Sequence, residues 1–257
     1  TEFTVSNLEE LIAALDAGKA SISLNAGTYD FTAAPSDATA FSGGVLTLNA
    51  GTVLKGTSKA GVDPEIIGGI KLGEGVTHFT AQNIKFNGKE NTIGTAFEIS
   101  AVINADKVLV RDCEVFGYGK SLFYNNTADV NVGVLTLDRL LVHDMGAGQG
   151  MIDIRQPLIG AVVIENSTFY NGGRDFIRLD KAGLQSVKSA SIRNNTFSSV
   201  SVDAGNSILY VRAEGIDGKY TAFTVSASNQ TLYKNPIDLS SYLNGGFTFE
   251  FLVKTYN

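Results

Sequence analysis

The sequence contains few of the residues that stabilise many other folds. Its 257 residues include one cysteine, Cys113, no tryptophan and 4 prolines. A lone cysteine excludes an internal disulfide and a zinc site built on several cysteines, so we interpret Cys113 as an isolated buried thiol. With so little proline, the turns must rely on Gly, Asn and Asp, and glycine is abundant at 28 residues.

Charge and long apolar runs are also scarce. Charged residues make up 18% of the chain and the net charge is −6. A nucleic-acid-binding domain needs a basic face, so we expect no nucleic-acid partner. No run approaches the roughly 20 apolar residues of a membrane span. The opening TEFTVSNLEEL lacks the basic and apolar segments of a secretory leader. The chain is therefore either cytoplasmic or already trimmed of a leader.

A repeat of 27–29 residues runs through the middle of the chain. Each unit has an alternating apolar stretch, then a polar residue, then an apolar residue three positions further on. The polar positions are Asn83, Asp112, Arg139, Asn166 and Asn194, and the apolar ones are Phe86, Val115, Val142, Phe169 and Phe197. We interpret the polar column as structural, because such residues complete turns.

The periodicity inside each unit is two, which predicts strands and not helices. Strand repeats of this length without helices indicate an all-β, right-handed parallel β-helix, in which each coil stacks on the one before it. A propeller would need four strands in each repeat of about 40–45 residues. A β-sandwich is the alternative, although it does not require equal repeats.

A second strand follows each unit, and its aligned positions separate into two faces. The inner face carries Phe123, Ile152 and Ile177, and the outer face carries Tyr124, Asp153, Arg178 and Tyr210, followed two residues later by Asn126, Arg155, Asp180 and Arg212. The charged stretch GGRDFIRLDK, residues 172–181, is then a turn that enters the strand of the fourth coil.

The two ends of the chain depart from the repeat. Asn7 is placed to cap a short helix, LEELIAALDAG, which would close one end of the solenoid, with Gly18 as its stop. Residues 215–257 lose the repeat but keep alternating stretches. We therefore predict a β-helix with its N-terminal cap over residues 1–214 and a C-terminal β cap or small appended sheet over residues 215–257.

The units NIKFNG, DCEVFGYGKSLF, LLVHDMGAGQGMIDIR and ENSTFYNGGRDFIRLD resemble those of the pectate-lyase-like (pectin-lyase-like) parallel β-helix proteins of bacteria. They are especially similar to a lyase-like group associated with glycan utilisation, and the resemblance covers roughly residues 5–212. It implies a secreted or cell-surface polysaccharide lyase that acts on a uronate-containing glycan by β-elimination. A non-catalytic glycan-binding or structural β-helix is the alternative, because this fold does not determine function.

The outer face supplies the candidate site, because arginine matches carboxylates and tyrosine stacks on sugar rings. We predict that Arg155 or Arg178 acts as the base or neutralises a substrate carboxylate, assisted by Lys120. The predicted substrate-binding residues are Tyr124, Asp153, Arg174, Asp180, Lys181, Tyr210 and Arg212.

A structural role for the same charges is the simpler alternative. Asp153 with Arg178, and Arg155 with Asp180, would then be ion pairs that join neighbouring coils. Some lyases of this family use Ca²⁺, but a tight aspartate cluster is missing here. The nearest acidic set is Asp153, Asp175 and Asp180, with arginines beside it. Calcium stays open as a cofactor, and we predict no metal-ligating residue.

Two hydrolase sites are less favoured. Asp153 and Asp180 would provide the carboxylate pair of a glycoside hydrolase, and His143 or His78 the histidine of a catalytic triad. We interpret both histidines as surface or turn residues. The glycine-rich GAGQG at residues 146–150 lacks the lysine and helix of a phosphate loop and is interpreted as a turn.

Overall fold

The computed structural model describes residues 2–156, 158–172, 174, 176–179, 187–198, 209–212, 219–223 and 248–256, and beyond Phe197 the backbone alone is described. The helices are α1 (Leu8–Asp16) and a 3₁₀ turn (Phe31–Ala33). The strands are β1 (Phe3–Val5), β2 (Ser21–Asn25), β3 (Thr28–Asp30), β4 (Phe41–Ser42), β5 (Val45–Leu48), β6 (Thr52–Thr57), β7 (Glu65–Ile67), β8 (Gly69–Leu72), β9 (Phe79–Gln82), β10 (Lys85–Asn87), β11 (Thr95–Ile99), β12 (Asn104–Arg111), β13 (Glu114–Phe116), β14 (Ser121–Asn125), β15 (Val130–Asp138), β16 (Leu141–His143), β17 (Ile152–Ile154), β18 (Leu158–Glu165), β19 (Thr168–Tyr170), β20 (Ile177–Leu179), β21 (Val187–Ser198), β22 (Leu209–Arg212), β23 (Lys219–Phe223) and β24 (Thr248–Tyr256).

These strands wind into a parallel solenoid with three faces. The first face runs β1-β2-β6-β9-β12-β15-β18-β21, and the second runs from β21 through β19-β16-β13-β10-β7-β3. The third face runs β5-β8-β11-β14-β17-β20-β22, and antiparallel strands β4 and β23 lie at its two ends. Each coil thus contributes one strand to each face, which confirms the predicted parallel β-helix.

Apolar side chains from all three faces fill the interior. On the second face, the five aligned apolar positions of the repeat pair in register from one coil to the next. All five are completely buried, namely Phe86, Val115, Val142, Phe169 and Phe197. On the third face Phe123, Ile152 and Ile177 are buried in the same way, as the alternation predicted. Alternate residues of each strand therefore form the core, and the residues between them face outward.

The polar column of the repeat forms the corner between the first and second faces. Its five residues all have the left-handed conformation, with φ between 51° and 55°. Asn and Asp tolerate this conformation better than other non-glycine residues. Side chains of successive coils also bond there: Asn194 Nδ2 donates to Asn166 Oδ1 at 2.6 Å, and Arg139 Nε donates to Asp112 Oδ1 at 2.6 Å.

Helix α1 begins where the sequence predicted. The Asn7 side chain accepts from the Glu10 backbone N–H, which satisfies one N–H of the first turn, and Glu10 Oε2 accepts from the N–H of Ser6, just before the cap. Leu11 and Ala14 are buried against the solenoid, and Gly18 follows the helix with a φ of 72°. The amphipathic helix therefore covers apolar surface beside the first coil, as predicted.

Two strands are described in the C-terminal part of the chain. Strand β23 pairs antiparallel with β22, and β24 pairs parallel with β21 on the first and second faces. Their hydrogen bonding continues both sheets past residue 214, and the boundary between residues 214 and 215 stays a prediction.

Two further features concern the whole described chain. In the described part, no helix is long and apolar enough to cross a membrane. Cys113 is buried, as the sequence predicted, and that burial raises the pKa of its thiol to about 12.

Candidate functional site

The predicted outer column forms in the predicted register on the third face. Tyr124 pairs with Asp153, Asp153 with Arg178, and Arg178 with Tyr210. Neighbouring coils in such a sheet lie about 4.8 Å apart, so consecutive members of the column are neighbours. Arg212 lies two residues beyond Tyr210 on the same strand.

Asp153 differs from its prediction, because it lies in the outer column and yet its side chain is 0% exposed. Its two carboxylate oxygens accept from Arg155 Nε at 2.9 Å and from Arg155 Nη2 at 3.0 Å. The Gly150 backbone N–H donates to Oδ2 at 2.9 Å as well. This buried carboxylate therefore holds Arg155 in place, and a direct contact between Asp153 and a ligand stays a prediction.

Arg155 is held at the edge of the third face by that carboxylate. Its side chain is 26% exposed, and its guanidinium carbon lies 5.7 Å from the centre of the Tyr124 ring, within cation–π range. A bidentate bond to a carboxylate stabilises the charged form of a guanidinium. Arg155 is therefore poorly suited to accept a proton, and a substrate carboxylate bound to it would share its positive charge with Asp153.

Lys120 is positioned by two glycines, one from the coil before it and one from the coil after it. A Cβ atom on Gly94 would lie 3.3 Å from Lys120 Cδ, and one on Gly148 would lie 2.6 Å from Lys120 Cγ. The aliphatic stem of Lys120 thus fills the space that both glycines leave free. Lys120 itself is exposed, so its ammonium group is accessible from solvent.

Arg174, from the following coil, also contacts Gly148. Its Nη1 donates to the Gly148 carbonyl oxygen at 3.0 Å, across 26 residues of sequence. Lys120 and Arg174 therefore converge on Gly148, although they belong to different coils.

Residues 146–150, here called the glycine loop, hold this arrangement together. Gly146 N–H donates to the Tyr118 carbonyl at 2.8 Å, and Gly148 N–H donates to the Gly119 carbonyl at 3.1 Å. A Cβ on Gly146 would lie 2.5 Å from the Gly119 carbonyl oxygen, so the backbones approach too closely for a larger residue. The loop is a turn, as predicted, and it also contacts Lys120 and Arg174 directly and bonds Asp153, the partner of Arg155.

The remaining predicted residues can be placed only in part. Arg178 is half-buried beside Asp153 on β20. Of Tyr210 and Arg212 only the backbone on β22 is described, and Asp180 and Lys181 lie outside the described residues. The predicted Arg155–Asp180 pair therefore stays a prediction.

A metal centre finds no support in the part of the chain that is described. There, no three His, Cys, Asp or Glu side chains come together as a metal site. Of the three acidic residues considered above, Asp153 is bound to Arg155, and Asp175 and Asp180 lie outside the described residues.

A second polar cluster lies on the outer side of the second face, around His143. Its ring stacks between those of Phe116 and Tyr170, with centroids 5.1 Å and 4.8 Å away. Its Nε2 lies 2.7 Å from Glu114 Oε1, and its Nδ1 lies 2.6 Å from Asp144 Oδ2. The hydrogen bond from His143 holds the pKa of Asp144 below its usual value.

The His143 side chain is only 12% exposed, so its ring mainly packs and bonds within the sheet. The alignment could have revealed this stack, because Phe116, His143 and Tyr170 are spaced by the repeat length. His143 lies at the end of β16 and adjoins the turn in which it was expected.

Comparison with known proteins finds a match to a family model over less than half of the chain. Residues 64–172 match the domain of unknown function DUF4957. No curated protein and no solved structure matches the chain. The matched segment contains Lys120, Arg155 and the whole glycine loop, whereas Arg174 and Arg178 follow it. The centre of the candidate site therefore lies within a stretch of chain that is similar to this family.

Proposed function

We propose that this protein binds an acidic, uronate-containing glycan along the third face and the glycine loop. The observation that supports this most is the convergence of Lys120 and Arg174 on Gly148. Two basic residues from different coils pack against or bond the same glycine in a protein whose net charge is −6. Such a local concentration of positive charge needs an explanation beyond solvation.

The chemistry of the side chains fits such a ligand. Arginine binds carboxylates through directed hydrogen bonds, and lysine contributes a compact charge with three donors. Tyr124 lies beside Arg155 and offers an aromatic face to the apolar side of a sugar ring. Because the coils repeat at about 4.8 Å, an extended polymer lying along the solenoid axis would meet one such group after another. A protein that binds such polymers would meet them outside the cytoplasm, and we place it at the cell surface or in the secreted fraction.

Lyase chemistry is the catalytic form of this proposal. In β-elimination, a base removes the proton next to the uronate carboxylate, the bond to the leaving oxygen breaks, and a carbon–carbon double bond forms. The leaving oxygen then takes up a proton. Arg155, bonded to Asp153, would neutralise the carboxylate. Arg178 is then the candidate base, and Lys120 would assist, as the sequence predicted.

Calorimetric titration with oligosaccharides of galacturonate, with a neutral oligosaccharide as the comparison, tests binding. We expect affinity for the acidic ligand that weakens with salt, and a loss of about ten-fold or more in Lys120→Gln or Arg174→Gln, since a charge-assisted hydrogen bond contributes about 1.5–3 kcal/mol. Lys107→Gln is the matched control, because Lys107 is an exposed lysine on β12 of the first face.

The results of these experiments distinguish a lyase, a glycan-binding protein and a structural β-helix. Ultraviolet absorbance of an unsaturated product would establish a lyase, and binding without product would establish a binding protein. If galacturonate, alginate and chondroitin oligosaccharides all fail to bind the folded protein, the proposal is rejected in favour of a structural β-helix.

A further inference from the structure

A cavity of about 420 Å³ opens beside the candidate site, towards the N-terminal end of the solenoid. It lies between the 3₁₀ turn, the β4–β5 hairpin and the loop that joins β10 to β11. Its lining includes the apolar side chains Phe31, Phe41 and Ile93 and the polar side chains Thr32, Lys89 and Thr92. None of the residues discussed for the candidate site lines this cavity.

The cavity and the candidate site are nevertheless joined by neighbouring residues of the chain. Ile93, in its wall, immediately precedes Gly94, which makes room for the Lys120 stem. The Lys120 backbone N–H also donates to the Gly94 carbonyl at 2.8 Å. Lys89, Lys120 and Arg174 all lie in turns that lead from the second face to the third. A polymer passing over Arg174 and Lys120 would therefore reach the cavity next.

Lys89 lines the cavity, and a hydrogen bond fixes its backbone. It has a φ of 55°, and its N–H donates to Asn87 Oδ1 at 2.8 Å. Its ammonium group donates to Thr32 Oγ1 at 3.1 Å, which leaves two of its three donors for a ligand. The Thr32 hydroxyl in turn donates to Asp30 Oδ1 at 2.6 Å, so this carboxylate also lies near Lys89. The exposed Glu90 is the next residue in the loop.

The lining of the cavity also includes two aromatic rings. Phe31 and Phe41 pack edge to face with centroids 5.1 Å apart, and Phe41 is only partly buried. The Thr92 hydroxyl donates to the Lys89 carbonyl at 2.7 Å, so its oxygen can still accept a hydrogen bond. One cation, one hydroxyl and one aromatic wall around a cavity of this size match a single acidic sugar residue.

We propose that this cavity is a further subsite for one uronate residue of the bound glycan. Lys89 binds its carboxylate, and Phe41 contacts the apolar side of its ring. This inference rests on the proposed function, because it places one end of the same polymer. It assigns an additional sugar-binding position to residues outside the outer column of the third face.

The affinities of a galacturonate disaccharide and a hexasaccharide, measured by calorimetry, test the subsite. The hexasaccharide reaches the subsite while also covering Lys120 and Arg174. We expect Lys89→Gln to weaken hexasaccharide binding by about ten-fold, as expected for one lost charge-assisted hydrogen bond, and to bring its affinity closer to that of the disaccharide. Phe41→Ala should also reduce the difference between the hexasaccharide and disaccharide affinities. A melting curve should confirm that this variant folds.

Two other results would overturn the inference in distinguishable ways. If Lys120→Gln weakens binding and Lys89→Gln leaves the ratio of the two affinities unchanged, the subsite is rejected and the proposed function stands. If the wild-type protein binds neither oligosaccharide, both proposals are rejected. Lys107→Gln again serves as the control for loss of one lysine charge.

Discussion

Two glycines determine where the ammonium group of Lys120 lies. Both face the stem of that side chain, one from each neighbouring coil, and neither leaves space for a Cβ at an ordinary contact distance. A lysine on the surface is normally mobile and gains little from any one position. Here the flanking backbones restrict its stem, which lowers the entropy lost when it binds a ligand.

We predict that Gly148→Ala weakens binding of acidic oligosaccharides about as much as Lys120→Gln, roughly ten-fold. The new Cβ would lie 2.6 Å from Lys120 Cγ, and the flexible side chain would move out of position. Overpacking against Lys120 and the Gly119 carbonyl, which would lie 3.0 Å from the new Cβ, should reduce the free energy of unfolding by about 1 kcal/mol, because Gly148 itself is exposed. Calorimetry with thermal melts measures both effects.

Ala147→Ser, in the same exposed loop, is the matched control for Gly148→Ala. A folded Gly148→Ala protein with unchanged affinity would show that the position of Lys120 does not matter for binding.

Asp112 and Arg139 give a residue-level prediction that does not depend on a ligand. The hydrogen bonds from Arg139, 2.6 Å and 2.8 Å long, hold the pKa of Asp112 below its ordinary value of 3.8. A carboxyl with a lowered pKa stabilises the folded state above its unfolded pKa. That contribution is lost as the pH falls through the folded pKa.

We therefore expect Asp112→Asn to be less stable than the wild type at about pH 7, and the difference to shrink as the pH falls below about 4. Urea unfolding at a series of pH values measures it. Asp106→Asn, on the exposed side of β12, controls for the loss of one negative charge. A difference that stays constant down to about pH 2 would mean that the Arg139 pair does not stabilise the fold.

At the scale of elements, the corner between the first and second faces links sequence to fold most directly. A residue in the left-handed conformation at each repeat lets the chain turn sharply and begin the next strand in register. Asn166 shows both contributions, because its backbone has a φ of 55° and its side chain joins two coils. Its Nδ2 donates to Asp138 Oδ1 at 2.9 Å, while its Oδ1 accepts from Asn194.

We predict that Asn166→Gly costs roughly 1–2 kcal/mol, because it removes two hydrogen bonds and keeps the backbone conformation. Asn166→Val should cost about 1–2 kcal/mol more, since a β-branched residue is strained at positive φ. Urea unfolding of the two variants separates the cost of the lost hydrogen bonds from the cost of backbone strain. Equal stabilities for the glycine and valine variants would show that the corner conformation is not costly at this position.

The elements could be predicted because local patterns encode them. Alternation separates Ile152 from Asp153, and the repeated Asn or Asp marks each corner. The site was less predictable, because its key contacts lie between coils. The buried Asp153 carboxylate accepts a hydrogen bond from the Gly150 N–H. The stem of Lys120 occupies space that is open because Gly148 has no side chain. A local pattern shows a glycine as a turn and does not show what packs against it.

At the scale of the whole molecule, a solenoid is stabilised by contacts between neighbouring coils. Strand pairs join each coil to the next, and aromatic rings continue this stacking inside. Phe169 illustrates it, with its ring centroid 4.2 Å from that of Phe176 and 5.3 Å from that of Phe197. Each coil mainly contacts its neighbours. A substitution that destabilises one coil should therefore increase unfolding in that coil more than in distant coils.

We predict that Phe169→Ala reduces the free energy of unfolding by about 3–5 kcal/mol, as for other buried phenylalanines. Hydrogen–deuterium exchange should rise in β16, β18 and β19, while β2 and β6 keep their protection. Phe79→Ala is the matched variant nearer the N-terminal end, since Phe79 is equally buried and its ring lies 5.9 Å from that of Phe97. It should deprotect β6, β9 and β12 instead. If both variants raise exchange uniformly along the chain, the solenoid unfolds as one cooperative unit, and the Lys89 cavity and the glycine loop share one stability.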